Sequence, residues 1–336
     1  MRASGRWRSP RSTSAEALKM TVYPAPAEKT SCRVNGCGCA QRVPRYPSDM
    51  TDPEWEVLRP QAEAAMAELR RGRGGRPMDH QLRVVVDAVR YVVKYGVEWR
   101  ALPADYPDWQ AVYAFYERWN ARGLPQNLVD RLRARLRVRA GREDLPTAAV
   151  IDSQSVKAAD TVGAATSGFD GGKKIKGRKR HLAVDSNGWL LAVLVTAASV
   201  QDRDGGHRLV ALLRERLSTV TLVWADGGYA GRLVVWARAV LHLGIEVVKR
   251  TDDVAGFVVV PRRWVVERTF GWLARYRRLV RDYERKPEHH EAMVLWATIM
   301  IMTRQLALPD TGQPAHPRWG GERLKPLRPQ QDQKAA

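Results

Sequence analysis

Three carboxylates stand where a chain could turn them on phosphate. Asp152 follows the apolar run Thr147–Ile151, Asp226 follows Thr219–Ala225, and Glu267 sits among Arg262, Arg263 and Arg268. The gaps between them are 74 and 41 residues, so each belongs to a different element. An aspartate at the carboxyl end of a strand lies at the rim of a sheet, where α/β sites collect. Carboxylates are hard oxygen ligands that suit Mg²⁺, an ion that binds through a few carboxylates and phosphate oxygens. Two such ions about 3.5–4 Å apart can hold the attacking and leaving oxygens of an in-line phosphoryl transfer. The plainer reading stands beside this one: strand-end aspartates cap turns, and Glu267 pairs with Arg263 or Arg268. Asp160, Asp170, Asp202 and Asp204 compete for the same role, and spacing does not exclude them. Asp202 and Asp204 precede a helix and suit N-capping.

The elements that must position these groups follow from hydrophobic period. Thr51-Asp52-Pro53-Glu54 has the spacing of a capping box and opens a helix that the Arg70–Pro77 break ends. Leu82, Val85, Val86, Val89 and Val93 mark a second helix over Asp79–Tyr95. A third starts after Asp108 with Trp109, Val112, Tyr113 and Tyr116 on its apolar stripe. A fourth covers Gln126–Arg139, where Arg131, Arg133, Arg135, Arg137 and Arg139 crowd the polar positions and should grip phosphates. After Pro146 the period changes. A strand ends at Asp152. His181–Asp185 and Trp189–Thr196 form a hairpin around Asp185-Ser186-Asn187-Gly188. A helix over Arg203–Leu217, a strand to Ala225, a helix over Ala230–Leu243 and a strand at Ile245–Lys249 follow. One long basic helix is expected over Arg262–Arg285 and a last apolar helix over Glu288–Leu306. The second half therefore reads as a mixed α/β sheet with helices on its faces.

Composition bears on partners. The 336 residues carry 56 Lys and Arg against 36 Asp and Glu, a net charge of +20, which points to a polyanion, with nucleic acid first. An apolar fraction of 44% is enough for a sizeable core. The longest apolar run, Ala292–Met302, is too short for a bilayer that needs about 20 residues. A soluble cytoplasmic protein with no membrane partner is the expectation. Residues 1–45 and 307–336 read as disordered tails. Cys32, Cys37 and Cys39 lie in the first of them and form neither a disulfide framework nor a closed four-ligand zinc site.

Read together, the motifs resemble the DDE-type transposases of bacterial insertion sequences, most closely the family named after insertion sequence five. The likeness runs from Tyr46-Pro47-Ser48-Asp49 through Trp55 and Gly96-Val97-Glu98-Trp99-Arg100-Ala101-Leu102-Pro103 to Ile151-Asp152-Ser153-Gln154-Ser155-Val156-Lys157. It continues through the basic stretch Gly172–His181, Ala225-Asp226-Gly227-Gly228-Tyr229 and Trp264-Val265-Val266-Glu267-Arg268-Thr269-Phe270-Gly271-Trp272-Leu273. Each motif alone is weak; the full set in this order is specific.

The resemblance implies a ribonuclease H-like catalytic domain over 146–306, preceded by a small all-α DNA-binding domain over 46–140. It implies that Asp152, Asp226 and Glu267 hold two Mg²⁺ or Mn²⁺ ions, with Asp152 shared between them. It implies double-stranded DNA as partner, both terminal inverted repeats and target, and a homodimer or higher multimer acting on paired ends. Lys173, Lys174, Lys176, Arg178, Lys179 and Arg180 are expected to contact the DNA backbone, together with Arg268. Arg263 is expected to hold a phosphate or orient Glu267. The helices over Asp79–Tyr95 and Asp108–Ala121 could form a helix-turn-helix, although their aromatic residues suit a core better. One departure is visible. The slot for Tyr in the third motif holds Val260, and the basic slot seven beyond Glu267 holds Ala274, so neither inherits a role. Two other readings stay open: a different nuclease of the same fold, and a non-catalytic remnant that only binds DNA.

Overall fold

Helical periodicity builds four helices before the first strand: α1 (Asp52–Arg70), α2 (Leu82–Tyr95), α3 (Trp109–Ala121) and α4 (Leu124–Arg139). The computed structural model describes residues 42–70, 78–248 and 264–310. Cys32, Cys37, Cys39, Val260, Arg262, Arg263 and most of both expected tails lie outside the described residues. The capping box forms as spaced: Glu54 N donates to Thr51 Oγ1 at 3.3 Å and Thr51 N to Glu54 Oε2 at 3.1 Å. Asp108 caps α3 by accepting from Gln110 N at 2.8 Å. Gly96 ends α2 in the left-handed region at φ 70°, with its N–H on Val92 O. A β-carbon there would sit 3.0 Å from the Arg277 backbone, so the turn needs glycine twice over.

The remaining elements are β1 (Ala148–Lys157), β2 (Gly168–Asp170), β3 (Ile175–Val184), β4 (Leu190–Ala197), α5 (Asp202–Arg216), β5 (Leu222–Ala225), α6 (Arg232–Leu241), β6 (Gly244–Val247), α7 (Trp264–Leu273) and α8 (Pro287–Ala307). They make one six-stranded sheet. β1 lies at its centre, antiparallel to β3 on one side and parallel to β5 on the other. β6 pairs parallel with β5, while β2 and β4 pair with successive stretches of β3.

Alternation along β1 sorts two layers. Val150 joins Leu182, Val184 and Leu190 in a core shared with α1–α4, α7 and α8. Ala149 and Ile151 face the other way, onto Leu209, Leu213, Leu233 and Ala237 of α5 and α6. The four N-terminal helices thus share one continuous core with the sheet. The helix between them is α8, which buries Met293, Val294, Trp296, Ala297 and Met300. Its apolar run, too short for a membrane, is apolar because it is enclosed on nearly all sides. Among the described residues, no helix is long and apolar enough to cross a membrane.

Three expectations need correction. β1 does not stop at Asp152; it runs on to Lys157, because Ser153 and Ser155 find carboxylate partners in Asp202 of α5 and Asp170 of β2. The long basic helix is the ten-residue α7, followed by a single 3-10 turn at Arg277–Leu279. It breaks because Arg278 turns inward to Glu284 Oε1 at 2.7 Å. Residues 42–45 are part of the fold: Arg42 is buried, bonded to Asp49 at 2.8 Å and lying 3.8 Å over the Tyr106 ring. The core reading of the helical aromatics holds: α2 is almost wholly buried, and Tyr116 and Trp119 of α3 are core residues.

Two buried charges give measurable consequences. Arg137 of α4 meets Asp185 of the β3–β4 turn at 2.6 Å, with both side chains buried. Removing one partner leaves an uncompensated interior charge, so Arg137→Ala should lower the free energy of urea unfolding by about 3–5 kcal/mol. Asp87 is held near pKa about 7 by burial first and then by neighbouring Asp49, against the opposing pull of Arg90 and the Met50 N–H. A carboxyl raised in the fold favours folding below its ordinary 3.8 and loses that contribution as pH rises through about 7. Asp87→Asn keeps the acceptor for Met50 N; stability against pH should therefore fall less steeply between about 4 and 7.

Candidate active site

Strand register decides which carboxylates meet. The parallel pairs of β1 and β5 are Ala148 with Leu222, Ala149 with Val223 and Val150 with Trp224. The same offset brings Asp152 level with Asp226, the first residue beyond β5. Neighbouring strands lie about 4.8 Å apart, so the two aspartates stand side by side. Both follow Val150 and Trp224 by two residues and share their face of the sheet, the one that α7 covers. Each is half-buried. Asp152 Oδ1 accepts from Ser153 N at 2.7 Å. Asp226 Oδ1 accepts from Gly228 N at 2.9 Å and so caps the turn Gly227–Tyr229.

Glu267 comes from the first turn of α7 and is exposed. The helix is pinned by its inner face: Val266, Thr269, Phe270 and Leu273 are buried, and Thr269 Oγ1 donates to Gly188 O at 2.8 Å. Arg268 lies between Trp264 and Trp272, at 4.2 and 4.8 Å from their rings, and donates to Asn187 O at 2.7 Å. Burial pulls its guanidinium down to about 10. Arg268 therefore ties α7 to the β3–β4 turn. Asp152 and Asp226 are adjacent on the sheet, and Glu267 is carried on the helix packed over the same face. Among the described residues, no three His, Cys, Asp or Glu side chains are closed into a metal-binding cluster.

The competing carboxylates have other work. Asp202 does not cap α5; the N-cap is Gln201, which makes no side-chain cap bond. Instead Asp202 Oδ1 takes the Ser153 hydroxyl at 2.6 Å and Lys179 Nζ at 2.9 Å. Burial raises Asp202, but these bonds outweigh it and hold the carboxyl below its usual range. Asp170 accepts from the Ser155 hydroxyl, from Gly172 N at 3.1 Å and from Lys173 N at 3.0 Å, with Lys179 Nζ at 3.7 Å. The Ser155 bond first, then Lys173 N and Lys179, depress it against burial. These groups form a buried polar seam on the opposite face of β1, directly behind Asp152. Asp160 and Asp204 are exposed.

The basic stretch divides in two. Lys173, Lys174 and Lys176 are exposed. Arg178, Lys179 and Arg180, expected on DNA, are buried in β3 and committed within the protein. Arg178 reaches Asp282 at 3.0 Å. Arg180 reaches Gln154 Oε1 at 2.9 Å and Leu279 O at 3.0 Å, and burial pulls it down to about 10. The arginines of α4 are likewise engaged. Arg131 bonds Glu68, Arg133 bonds Asp130 and Leu190 O, Arg135 bonds Val57 O, and Arg139 bonds Gln305 O.

Two residues near the carboxylates were not singled out from sequence for this site. Tyr229 is fully buried, and its ring would collide with a β-carbon at Gly206. Burial first, then the fields of Asp152, Asp202 and Asp226, push its hydroxyl well above the usual phenol range, and among the described residues that hydroxyl is buried without a hydrogen-bond partner. Lys179 is the counter-ion of the seam. Its signal was the alternation Ser153, Ser155 opposite a cation, which only the β1–β3 register makes visible. Lys179→Met should cost about 3 kcal/mol in urea unfolding, because Asp202 and Asp170 lose their cation. The exposed Lys173→Met should stay within about 0.5 kcal/mol.

Comparison with known proteins meets this geometry. Residues 143–302 match the family described as "Transposase DDE domain", and residues 50–129 match "Putative transposase of IS4/5 family". A protein of Burkholderia cepacia named as a putative transposase for insertion sequence element IS402 is 33% identical over 144 residues. That match covers 40% of this chain and 66% of the relative, just under two thirds of its length. No solved structure matches.

Proposed function

Since the chain belongs to the insertion-sequence transposases of the DDE type, we propose that it binds the terminal inverted repeats of its own element, cuts the ends and joins the freed 3′-hydroxyls to target DNA. The observation that carries this reading is the parallel β1–β5 register, whose continuation sets Asp152 level with Asp226, under the helix that bears Glu267. Strand order supports a ribonuclease H-like core: β4, β3 and β1 run antiparallel in turn, then β5 and β6 run parallel to β1.

The donor set fits divalent ions. All three groups are carboxylates, two stand a strand spacing apart, and none is fully buried. Asp152 would hold both of two Mg²⁺ or Mn²⁺ ions, and Asp226 and Glu267 one each. Such ions supply Lewis-acid polarisation and neutralise charge on the leaving oxygen. The protein does the rest by positioning. The Gly227–Tyr229 turn fixes Asp226. The seam behind β1 keeps Asp152 in register. Arg268 and its two tryptophans hold α7, and so Glu267, against the turn at Asn187–Gly188. Lys173, Lys174 and Lys176 contact phosphates, which gives affinity and salt sensitivity rather than sequence reading. Two or more copies would act on paired ends, in the cytoplasm.

The test is incubation of the full chain with duplexes carrying the repeats that bracket its gene, with Mg²⁺ or Mn²⁺, beside Asp226→Ala. Cleavage and strand transfer should fall on the order of a hundredfold or more in the variant. Cleavage that survives the substitution overturns the site. Cutting without joining of pre-cut ends points to a plain nuclease, and binding without cutting under either ion points to a remnant.

A further inference from the structure

The stretch between α7 and α8 sorts its charges by direction. Its two acids are buried: Asp282 meets Arg178 at 3.0 Å and His290 at 3.1 Å, and Glu284 meets Arg278 at 2.7 Å. Toward solvent it turns Val280 and a set of cations, with Arg285 and Lys286 exposed and Arg281 half-buried. This surface is fixed to the sheet. Asp282 N donates to Lys157 O at 2.9 Å, Arg281 to Ala158 O at 2.9 Å, and Arg178 to the carbonyls of Glu284 at 2.7 Å and Arg285 at 2.9 Å.

Beside it the sheet offers two more groups. Arg178 pairs with Val156, so its side chain shares the face of Asp152. Lys176 lies two residues before Arg178 on β3, on the same face and about 7 Å further out. Phe169 of β2 pairs with Lys176 and is 57% exposed, an unusual position for a phenylalanine. The β2–β3 turn that carries them is locked, because Asp170 Oδ1 holds Gly172 N and Lys173 N while its other oxygen is held by Ser155. From Asp152 to the far end of β1 is five residues, about 16 Å, or roughly five base pairs of duplex.

We propose that Phe169, Lys176, Arg281, Arg285 and Lys286 form the track that grips DNA flanking the scissile phosphate, with the cations on its backbone and Phe169 stacked on a base. The assignment rests on the transposase reading and adds the surface on which the substrate lies. Cations supply charge without sequence information. An exposed ring between them supplies a stacking platform for any base that has left the helical stack. The rigid backbone means that little ordering entropy is lost when a strand docks.

The test measures binding of the full chain to a labelled duplex spanning the terminal repeat and its flank, with a few mismatched pairs at the junction, over a salt series and without divalent ions. The double variant Arg285→Ala with Lys286→Ala should make the slope of log affinity against log salt shallower by about 1.8. Phe169→Ala should weaken binding about 5- to 150-fold with the slope unchanged, and Phe169→Trp should restore it. Melting curves confirm that each surface variant is folded. Variants that match wild type in affinity and slope overturn the track. A wild-type chain that binds no duplex overturns the transposase reading itself.

Discussion

The candidate site depends on one constraint, the parallel pairing of β1 with β5. A strand slip of one residue would send Asp152 to the opposite face of the sheet. The register is held from both faces. Val150 is locked into the core of α7 and α8, while Ala149 and Ile151 are locked into the core of α5 and α6. A slip would exchange both sets at once. The polar seam makes the same demand, since Ser153 and Ser155 meet Asp202 and Asp170 only in this register. Placement of the carboxylates is therefore a by-product of core packing.

The charge of +20 takes on a different meaning in the fold. Arg90, Arg133, Arg137, Arg178, Lys179, Arg180 and Arg278 are all buried. A guanidinium can satisfy several carbonyls and carboxylates at once through its fork of donors. Here that property joins segments far apart in sequence: Arg90 reaches Ser48, Glu54 and Thr303, and Arg178 links β3 to the chain before α8. These cations brace the interior, but Asp49, Glu54, Asp87, Asp185, Asp282 and Glu284 are buried with them, so the positive excess itself lies outside this core.

This explains which parts of the molecule were legible in the sequence. Asp152 and Asp226 were, because each follows an apolar run and the runs are strands. The capping box at Thr51 and the cap at Asp108 were, because caps are local. The far half of β1 was not: Ser153 and Ser155 look like an exit from the strand until their partners, 49 and 15 residues away, are known. The basic run Lys173–Arg180 reads as a surface in one dimension, yet alternate residues of β3 point into two different interiors. The end of α7 was hidden for a similar reason. Its helical phase continues in sequence, but Arg278 and Glu284 satisfy each other inside the protein, and that pairing has no local signature.

The position of α8 has a consequence for how the protein comes into being. Its buried face completes the core of helices that begin at Asp52, yet α8 itself ends at Ala307. At roughly 5–20 residues per second on the ribosome, some ten to thirty seconds separate the appearance of α4 from that of α8. Through that interval Leu58, Val89, Leu128 and Leu132 lack the surface they close upon. The first half of the chain must wait for the last helix, so the nascent protein offers hydrophobic surface to chaperones before it can offer a folded site to DNA.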